Sequence, residues 1–448
     1  PIRNGTMKQF YSGRGELFYF FFHLSLNLGR DKSSVAFITT NYYPTASYGN
    51  LLRKDFKERA EIVSLINFNE LRIFESALGQ HNLITILRKS NERNLVAKNI
   101  ITKKKGIADP TILSAILNHQ DKDTDYFNIA QNELYDGKEN YIRLGGTSGE
   151  NNQINKILGK LSINPLLGDI CFVRQGLRTG IDKTTQSHKL NYNLKGEMGE
   201  GVFIITKKEL SDIKLNINEK KIIKEFYKNS DISKFYTKQD SDQYVFYIAK
   251  TYDEKKLKKD CPNIYAHLLK FKELILKIRG RNNEQLDHWV NLDRTREEFI
   301  FTSQKIVAPQ RSYKNTFGFS EKEWYASADV YYILQNNKKY LLKYILALIN
   351  SKLYYLWLYT RGKRKGDMLE LYQNPLSEIP IKDIPEKQQK PFIELVDRIL
   401  SITNDKDYLK NQDKQARVKA YGNRIDKMVY ELYELTPEEI NIVEDFGK

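Results

Sequence analysis

The sequence predicts an α/β fold, and three observations in the first hundred residues carry that prediction. Residues 34–40 (SVAFITT) form a continuous apolar, β-branched run that is typical of a strand buried in a parallel sheet. An aromatic-rich helix is predicted before it, over residues 16–28, and two further strands are predicted after it, over residues 62–68 and 82–88. Thr45 can cap a helix that joins the first two strands. This order is that of the closing half of a doubly wound sheet.

The predicted half-sheet lacks neighbours for its first strand. Right-handed crossovers require parallel strands beside residues 34–40, and none is predicted in this chain. A strand that is apolar on both faces would then have an exposed flank, so we expect its partners to come from an upstream segment or from another polypeptide. The sequence also opens at Pro1 without a methionine, which we interpret as a cut or a continuation.

The charge balance favours a polyanionic partner. Lys and Arg total 72 against 56 acidic residues, a net charge of +16, which points to nucleic acid ahead of a membrane surface. The apolar stretch at 17–28 is too short to span a membrane, and the one at 340–359 is interrupted by polar residues. Two cysteines, Cys171 and Cys261, make no disulfide framework, which predicts a reducing cytoplasm.

The chain divides into four predicted regions. Residues 1–100 hold the half-sheet, and residues 101–164 are predicted to be a helical linker region because the pattern weakens around a lysine-rich stretch. The strongest functional signals fall in residues 165–390, a mixed α/β region. Residues 391–448 are predicted to be an amphipathic helical segment.

The first of these signals is the stretch 170–183 (ICFVRQGLRTGIDK). Residues 170–173 predict a buried strand, and Gly176 and Gly180 then predict a tight turn. Arg and Gln can pair with base edges, while Lys and Thr can hold phosphates. A glycine-rich hairpin with solvated charges stays open as the alternative. The side chains that this turn would present are Gln175, Arg178, Thr179 and Lys183.

Two more segments have a similar composition. Between predicted strands at 306–307 and 330–333, basic, hydroxyl and aromatic side chains alternate, which suits phosphate contacts and base stacking. After an apolar helix at 341–359, residues 361–366 predict a mobile basic loop, with a disordered solvated loop as the alternative. The candidate residues are Arg311, Ser312, Tyr313, Lys314, Asn315, Trp324 and Ser327 in the first segment, and Arg361, Lys363, Arg364 and Lys365 in the second.

Three stretches together resemble a known family, the adenine-N6 DNA methyltransferases of single-chain (type IIG-like) restriction-modification enzymes. They are TNYYPTA at 40–46 with Leu52-Arg53, QGLRTGIDK at 175–183, and NSKL at 350–353 followed by GKRKG at 362–366 and PLSEIP at 375–380. The resemblance implies that residues 1–100 are the C-terminal half of a Rossmann-like methyltransferase domain. It implies a TaqI-like target recognition (DNA specificity) domain at 165–390, and it places Asn41 and Tyr42 near a flipped base.

The catalytic signature of that family is absent. Its Asn-Pro-Pro-Tyr motif holds the flipped adenine, but Asn164-Pro165-Leu166 and Asn374-Pro375-Leu376 lack the second proline and the aromatic residue. No strand is followed by a glycine-rich turn that could bind S-adenosylmethionine. We therefore predict no catalytic residue here, an unknown cofactor site, and a complete enzyme that uses S-adenosylmethionine bound outside these residues.

Nuclease and metal chemistry receive little support. Glu219-Lys220-Lys221 after Asp212 and Glu254-Lys255-Lys256 after Asp253 fit the letters of a Mg²⁺-dependent nuclease, but both lie in lysine-rich helical patterns. The histidines show no ligand spacing with the cysteines, so no metal site is predicted. Mg²⁺ would be required only if a nuclease domain exists upstream.

The sequence therefore predicts site-specific DNA recognition in the service of adenine-N6 methyl transfer by the complete protein. The alternative is a stand-alone DNA- or RNA-binding specificity module without catalysis. The expected partners are double-stranded DNA and an upstream segment or separate chain with the catalytic motifs, and no membrane. Base-edge or near-base phosphate contacts are assigned to Gln175, Arg178, Arg311 and Lys314, and backbone phosphate contacts to Lys183, Lys363, Arg364 and Lys365.

Overall fold

The structure is a computed structural model, and it describes residues 5–11, 15–75, 81–137, 139–145, 150–192, 198–281, 288–365 and 367–446. The chain divides into two units, Pro1–Gly159 and Lys160–Lys448, which we call unit 1 and unit 2.

Unit 1 is built on a mixed five-stranded sheet. Its strands are β1 (Ser34–Thr40), β2 (Ala60–Asn67), β4 (Asn82–Lys89), β5 (Val96–Thr102) and β7 (Thr124–Ala130); the short strands β3 (Leu71–Arg72), β6 (Gly106–Ile107), β8 (Tyr135–Asp136) and β9 (Tyr141–Ile142) form two small ladders. The order is β1-β4-β2-β5-β7, so β1 is an edge strand. β4 runs antiparallel between β1 and β2, and only β2 and β5 are parallel neighbours.

Aromatic packing fixes the helices of unit 1 on this sheet. Phe22 lies within 4.8 Å of Phe37 and 5.1 Å of Phe56, measured between ring centroids, so the first two helices and the first strand share one core. Asp109 caps the third helix by accepting from the Ile112 amide at 2.8 Å. The helices are α1 (Leu17–Leu28), α2 (Asn50–Arg59), α3 (Pro110–Leu117) and α4 (Glu150–Ser162), and the boundary between the units falls within α4.

The α/β fold class is confirmed, with two differences in unit 1. The strand β4 pairs antiparallel with β1, so the sheet is mixed and this chain itself supplies a neighbour on one side of the strand for which none was predicted. Residues 101–164 were predicted to be a helical linker region, and only their last part, α4, fits that prediction. Before it, β7 belongs to the sheet and pairs along its whole length with β5. The lysines that suggested a linker are neutralised by acidic residues before and within β7, for example Lys103 by Asp125 at 2.9 Å.

Unit 2 contains four sheets of short strands. The first has the order β10-β20-β16-β18, the second β11-β15-β12-β19, the third β17-β22-β21 and the fourth β13-β14. The strands are β10 (Cys171–Gln175), β11 (Ile204–Thr206), β12 (Ile223–Tyr227), β13 (Ile232–Ser233), β14 (Tyr236–Thr237), β15 (Gln243–Phe246), β16 (Lys305–Pro309), β17 (Arg311–Ser312), β18 (Gly318–Ser320), β19 (Tyr325–Ala326), β20 (Val330–Gln335), β21 (Arg364–Lys365) and β22 (Met368–Glu370).

One predicted helix of unit 2 is interrupted by polar side chains. The predicted helix 341–359 breaks at Asn350, whose side chain pairs with both backbone groups of Phe317, and Ser351 then caps the next helix. The helices are α5 (Leu167–Ile170), α6 (Gln186–Tyr192), α7 (Lys207–Ser211), α8 (Ile217–Ile222), α9 (Glu254–Asp260), α10 (Pro262–Leu269), α11 (Lys272–Arg281), α12 (Phe299–Thr302), α13 (Leu342–Ile349), α14 (Lys352–Thr360), α15 (Gln373–Ser377), α16 (Glu386–Thr403), α17 (Gln412–Leu432) and α18 (Pro437–Asp445).

Among the described residues, no helix combines the length and the apolar character that crossing a membrane would require.

Candidate nucleic-acid interface

Two of the three basic segments are brought together by one sheet of unit 2. β10 and β16 both pair antiparallel with β20, and Tyr331 in β20 is opposite Gln175 on one side and Ala308 on the other. Because β10 and β16 run in the same direction, both end at this point. The turn after Gln175 and the strand that begins at Arg311 therefore leave the same end of the sheet.

The turn after β10 is held in place by two glycines. Gly176 donates to the Val330 carbonyl at 2.9 Å, and a Cβ atom there would lie 2.2 Å from the carbonyl oxygen of Ser327. Only glycine allows so close an approach of two backbones. Gly180 adopts a φ of 88°, in the left-handed region that glycine enters at little cost. Thr179, between them, is buried and donates its hydroxyl to Asp182.

Two arginines are fixed beside this turn. Arg178 forms an ion pair with Asp293 at 2.9 Å, with almost half of its side chain exposed. Arg296 donates from Nε to the Gly176 carbonyl at 3.1 Å and from Nη2 to the side-chain oxygen of Gln175 at 3.2 Å. Burial, followed by the nearby charge of Arg294, lowers the pKa of Arg296. Both guanidinium groups are thus oriented by acceptors within unit 2.

A buried carboxylate organises the third sheet. Glu370, 6% exposed, accepts from Arg311 at 3.2 Å and pairs with Lys363 at 3.0 Å. Tyr372 donates to the same carboxylate at 3.1 Å, and its hydroxyl accepts from Nη2 of Arg311 at 2.9 Å. β17 and β21 flank β22, so Arg311 and the 361–365 segment lie on one small sheet. The predicted mobile basic loop is therefore a hairpin, although its Gly366 lies outside the described residues.

Aromatic rings connect these two groups and extend the second. The rings of Tyr331 and Tyr372 are 6.1 Å apart, which joins the end of β10 to the Glu370 cluster. On α14, Tyr355 lies under the Nζ atom of Lys314 at 4.5 Å and Tyr359 under the guanidinium of Arg364 at 4.0 Å. Lys365 is exposed at the hairpin. We call the following set the basic edge: Gln175, Arg178, Arg294, Arg296, Arg311, Lys314, Lys363, Arg364 and Lys365.

Several predicted contact residues lie elsewhere or are occupied. Thr179 is buried, Ser312 shares a hydrogen bond with Thr316 at 2.8 Å, and Arg361 is half-buried at the end of α14. Lys183 is exposed, but the contacts described for it lead to Gly201 and not to the basic edge.

Two aromatic and amide candidates of the second segment belong to the core. Trp324, expected near bases, is 2% exposed and stacks on Tyr227 at 4.7 Å. Asn315 is buried and donates to the carbonyl groups of Ile349 and Ser351, each at 2.8 Å. These two side chains therefore hold unit 2 together.

Arg294 and Arg296 are the basic-edge residues that the sequence did not indicate. Arg294 is exposed, and its backbone exchanges two hydrogen bonds with that of Arg178. The available signal was the Arg-Thr-Arg triplet at 294–296, which lies outside the three segments and has no glycine beside it. Its partners lie more than a hundred residues earlier, since Arg296 and Gln175 are separated by 121 positions.

In unit 1, Asn41 and Tyr42 follow the end of β1. Asn41 donates to the side chain of Asn67, at the end of β2, at 3.0 Å, and Tyr42 is 37% exposed. The fully buried Arg53 donates to the carbonyl groups of Tyr43 and Ala46 at 2.8 and 2.7 Å, which fixes the loop after Tyr42.

The described residues do not fit a metal or a nucleoside cofactor. They contain no group of three or more His, Cys, Asp or Glu side chains that could hold a metal ion. Within the described part of unit 1, the turn after β1 contains no glycine before Gly49, and β5 is followed by the single glycine Gly106. A glycine-rich turn with an acidic ribose partner is what S-adenosylmethionine would need. No step through either group is derived for these residues.

A sheet that ends in oriented arginines and lysines is chemically suited to a nucleic-acid ligand. Residues 224–381 match the TaqI-like C-terminal specificity domain, and residues 2–74 match the Eco57I restriction-modification methylase. Both matched ranges lie within the regions predicted for these two parts. The chain is therefore similar to restriction-modification methyltransferases in residues 2–74 and to their TaqI-like specificity domain in residues 224–381.

Individual relatives agree with this assignment. The Type II methyltransferase M.HindII of Haemophilus influenzae is 24% identical over 423 residues, covering 92% of this chain and 75% of that relative. M.MjaIV of Methanocaldococcus jannaschii is 26% identical over 257 residues, covering 56% of this chain and 78% of that relative.

Among solved structures, the Type IIL restriction-modification enzyme MmeI in complex with DNA matches 94% of this chain with a TM-score of 0.59 at 13% identity. This chain spans 50% of that protein's length, and the likeness shows the fold.

Proposed function

We propose that unit 2 recognises a specific sequence in double-stranded DNA through the basic edge, and that the complete protein transfers a methyl group from S-adenosylmethionine to the N6 atom of an adenine in that site. The observation that supports this most is the convergence of basic residues from distant segments at the end of the first sheet of unit 2 and on the small sheet β17-β22-β21 that follows it. Arg178, Arg296 and Arg311 each have a fixed acceptor, so their guanidinium groups are oriented before any ligand binds. Oriented guanidinium groups suit base edges in the major groove.

The aromatic residues favour duplex DNA over a single strand. Single-stranded nucleic acid is bound by stacking bases on exposed aromatic side chains. Tyr331 and Trp324 are buried, and Tyr355 and Tyr359 are already covered by Lys314 and Arg364. Tyr313, 66% exposed, offers one ring to unstacked bases, and a single stacking ring favours duplex DNA over the alternative of an RNA-binding module.

Catalysis is assigned to residues outside this sequence. Leu17, Phe21, Leu24 and Leu28 recur at helical spacing on α1 and are between 42% and 77% exposed, while their helix packs on edge strand β1. Covering such an apolar stripe contributes roughly 25 cal/mol per Å². We propose that a further α/β segment carrying Asn-Pro-Pro-Tyr and the cofactor turn, either upstream or on a separate chain, packs there.

Within this arrangement, Asn41 and Tyr42 are proposed to lie near the flipped adenine. Their loop is fixed by Arg53, so its position does not depend on the ligand. A flipped base must be held by groups that are already in place. The 448-residue chain by itself is expected not to methylate DNA. The cytoplasm is the proposed location, since Cys171 and Cys261 are both free and buried.

DNA binding by the 448-residue chain, measured by fluorescence anisotropy at two salt concentrations with and without S-adenosylmethionine, tests the proposal. We expect duplex affinity to fall steeply with salt and to be unaffected by S-adenosylmethionine. Arg178→Ala should cost roughly 1–3 kcal/mol on the cognate site, and the exposed Lys419→Gln on α17 is the control. Tighter binding to single-stranded RNA than to duplex DNA would favour the alternative module and contradict the proposal.

A further inference from the structure

We propose that Arg296 reads a guanine at the basic edge, and that Gln175 is a positioning residue that orients Arg296 instead of touching a base itself. This inference rests on the proposed function and deepens it, because it assigns one base of the recognition sequence to one side chain.

Both ends of the Gln175 side chain are already engaged. Its Nε2 atom donates to the Ala328 carbonyl at 2.9 Å, and its Oε1 atom accepts from Arg296 at 3.2 Å. A glutamine that reads adenine must present one donor and one acceptor to the same base. Turning Gln175 toward DNA would leave the Ala328 carbonyl and the Arg296 guanidinium without these bonds, which costs free energy. Gln175 is therefore better suited to holding Arg296.

Arg296 keeps the donors that a guanine needs. Its guanidinium has five N–H groups. The Nε–H bond points to the Gly176 carbonyl, and one of the two N–H bonds of Nη2 points to Gln175. The second N–H bond of Nη2 and both N–H bonds of Nη1 remain for a ligand. Tyr247 donates its hydroxyl to the Arg296 carbonyl, so the backbone of this residue is also fixed. Two parallel donors on a fixed plane match the O6 and N7 acceptors of guanine.

The acceptors of Arg296 distinguish it from the other oriented arginines. Arg178 and Arg311 are paired with the carboxylates of Asp293 and Glu370, which neutralise their charge. Arg296 is held by an amide oxygen and a backbone carbonyl, both neutral. Its full positive charge stays available to the partially negative edge of guanine, and charge-assisted hydrogen bonds are the stronger ones.

Selection from a randomised duplex pool tests this assignment in the 448-residue chain. The wild type, Arg296→Lys, Gln175→Met and the control Arg417→Lys on α17 are each used to enrich bound duplexes, which are then sequenced. Arg296→Lys keeps the charge but removes the planar fork. We expect the wild type to enrich a motif with at least one invariant guanine, and Arg296→Lys to lower the preference for that guanine about tenfold or more.

Gln175→Met has a similar length but cannot accept from Arg296. It should relax the same position by a smaller factor and leave the other positions unchanged, and Arg417→Lys should leave the whole motif unchanged. If Arg296→Lys lowers the melting temperature and all DNA binding, Gln175→Met carries the test. An unchanged motif in both variants overturns the assignment of Arg296 alone. A wild type that enriches no motif overturns the proposed function, and the assignment with it.

Discussion

The exposed residues of α1 in unit 1 are mostly apolar, whereas those gathered at the end of the first sheet of unit 2 are basic. Leu17 and Leu28 are 63% and 77% exposed, although leucine side chains gain free energy from burial. In unit 2, Arg178 and Arg311 lie at the surface, and a buried or half-buried carboxylate holds each of them. The apolar stripe thus needs a protein surface to cover it, while the basic edge is already organised for a charged ligand.

The surfaces of the two units differ, but the buried carboxylates in their interiors are held by similar hydrogen bonds. In unit 1, Asp55 pairs with His23 at 2.5 Å and with Arg59, and buried Glu61 accepts from two backbone amides at 2.8 Å each. In unit 2, buried Glu219 likewise accepts from the amides of Asn263 and Ile264. These three buried carboxylates are all satisfied, and the contrast between the units lies in their surfaces. A substitution in the interior of one unit should therefore leave the binding surface of the other unit unchanged.

The largest effect is expected at Gly176. Gly176→Ala places a methyl group 2.2 Å from the Ser327 carbonyl oxygen, a backbone atom that cannot rotate away. We expect a loss of about 3 kcal/mol in the free energy of unfolding, together with loss of specific DNA binding, because the turn that orients Arg178 and Arg296 must shift. Urea unfolding followed by circular dichroism measures the first effect, and anisotropy measures the second.

Gly422→Ala on α17 is the matched control for this substitution. A Cβ atom at Gly422 meets nothing within 4 Å, so the same change should stabilise the helix by about 1 kcal/mol. Equal stability of the Gly176→Ala variant and the wild type would show that the basic edge does not depend on this close approach.

A smaller effect, in the other unit, is expected for Asp55→Asn. Burial raises the pKa of Asp55, but the hydrogen bonds from His23 and Arg59 outweigh it and lower the pKa overall. The stabilisation is therefore present above the ordinary pKa of aspartate and is lost as the pH falls below it. We expect Asp55→Asn to cost about 2 kcal/mol at neutral pH and to speed hydrogen exchange in α1 and α2, as resolved by mass spectrometry.

The control for Asp55→Asn is Glu58→Gln on the same helix. Glu58 and Lys54 are both about 60% exposed and 3.8 Å apart, so their pair contributes little. DNA affinity should be unchanged in both variants. A loss of DNA affinity in Asp55→Asn would show that DNA binding by the basic edge depends on the interior of unit 1.

Regular elements were predictable where the local pattern is strong. The run 34–40 forms β1 with the predicted ends, and the runs at 306–307 and 330–333 lie in β16 and β20. Apolar runs of β-branched residues that are bounded by turns strongly favour strands. The segment at 361–366 has no such pattern. Arg364 and Lys365 pair with β22, and β22 pairs in turn with Arg311 and Ser312, more than fifty residues earlier, which composition cannot reveal.

The candidate site was predictable in its chemistry but not in its partners. The basic segments were found from their charge and glycines, and most of their cations lie at one sheet end. The acceptors that orient them, Asp293 and Glu370, lie far along the chain, and Glu370 looked like one acidic residue among many. Trp324 was assigned to the surface because of its basic neighbours, yet the ring of Tyr227 covers it.

Lys305 should make the stability of unit 2 depend on pH, and the expected effect is of intermediate size. It is fully buried, and its Nζ atom donates to the carbonyl groups of Phe301 at 2.6 Å and Lys322 at 2.5 Å. Burial lowers its pKa to about 8. Between that pH and the ordinary lysine pKa of about 10.4, the unfolded chain binds more protons than the folded one, so stability should rise with pH by at most about 1.4 kcal/mol per unit.

Urea unfolding at several pH values across that window measures the rise. Lys305→Met should abolish it, while Lys338→Met, at an exposed position, should keep it. If the free energy of unfolding of the wild type does not change with pH across the window, Lys305 is solvated. Water would then reach the interior of unit 2 more than its contacts indicate.

The smallest effect separates two lysines of the hairpin and tests the basic edge directly. Lys365 is exposed, whereas Lys363 is 25% exposed, pairs with Glu370 at 3.0 Å and covers the Tyr372 ring at 4.9 Å. A lysine that is already neutralised releases few counterions from DNA. Lys365→Gln should therefore reduce the slope of log affinity against log salt by about one, and Lys363→Gln should change it less. Equal changes in slope would show that Lys363 leaves Glu370 for a phosphate when DNA binds, so that buried acceptors orient the arginines of this edge but not its lysines.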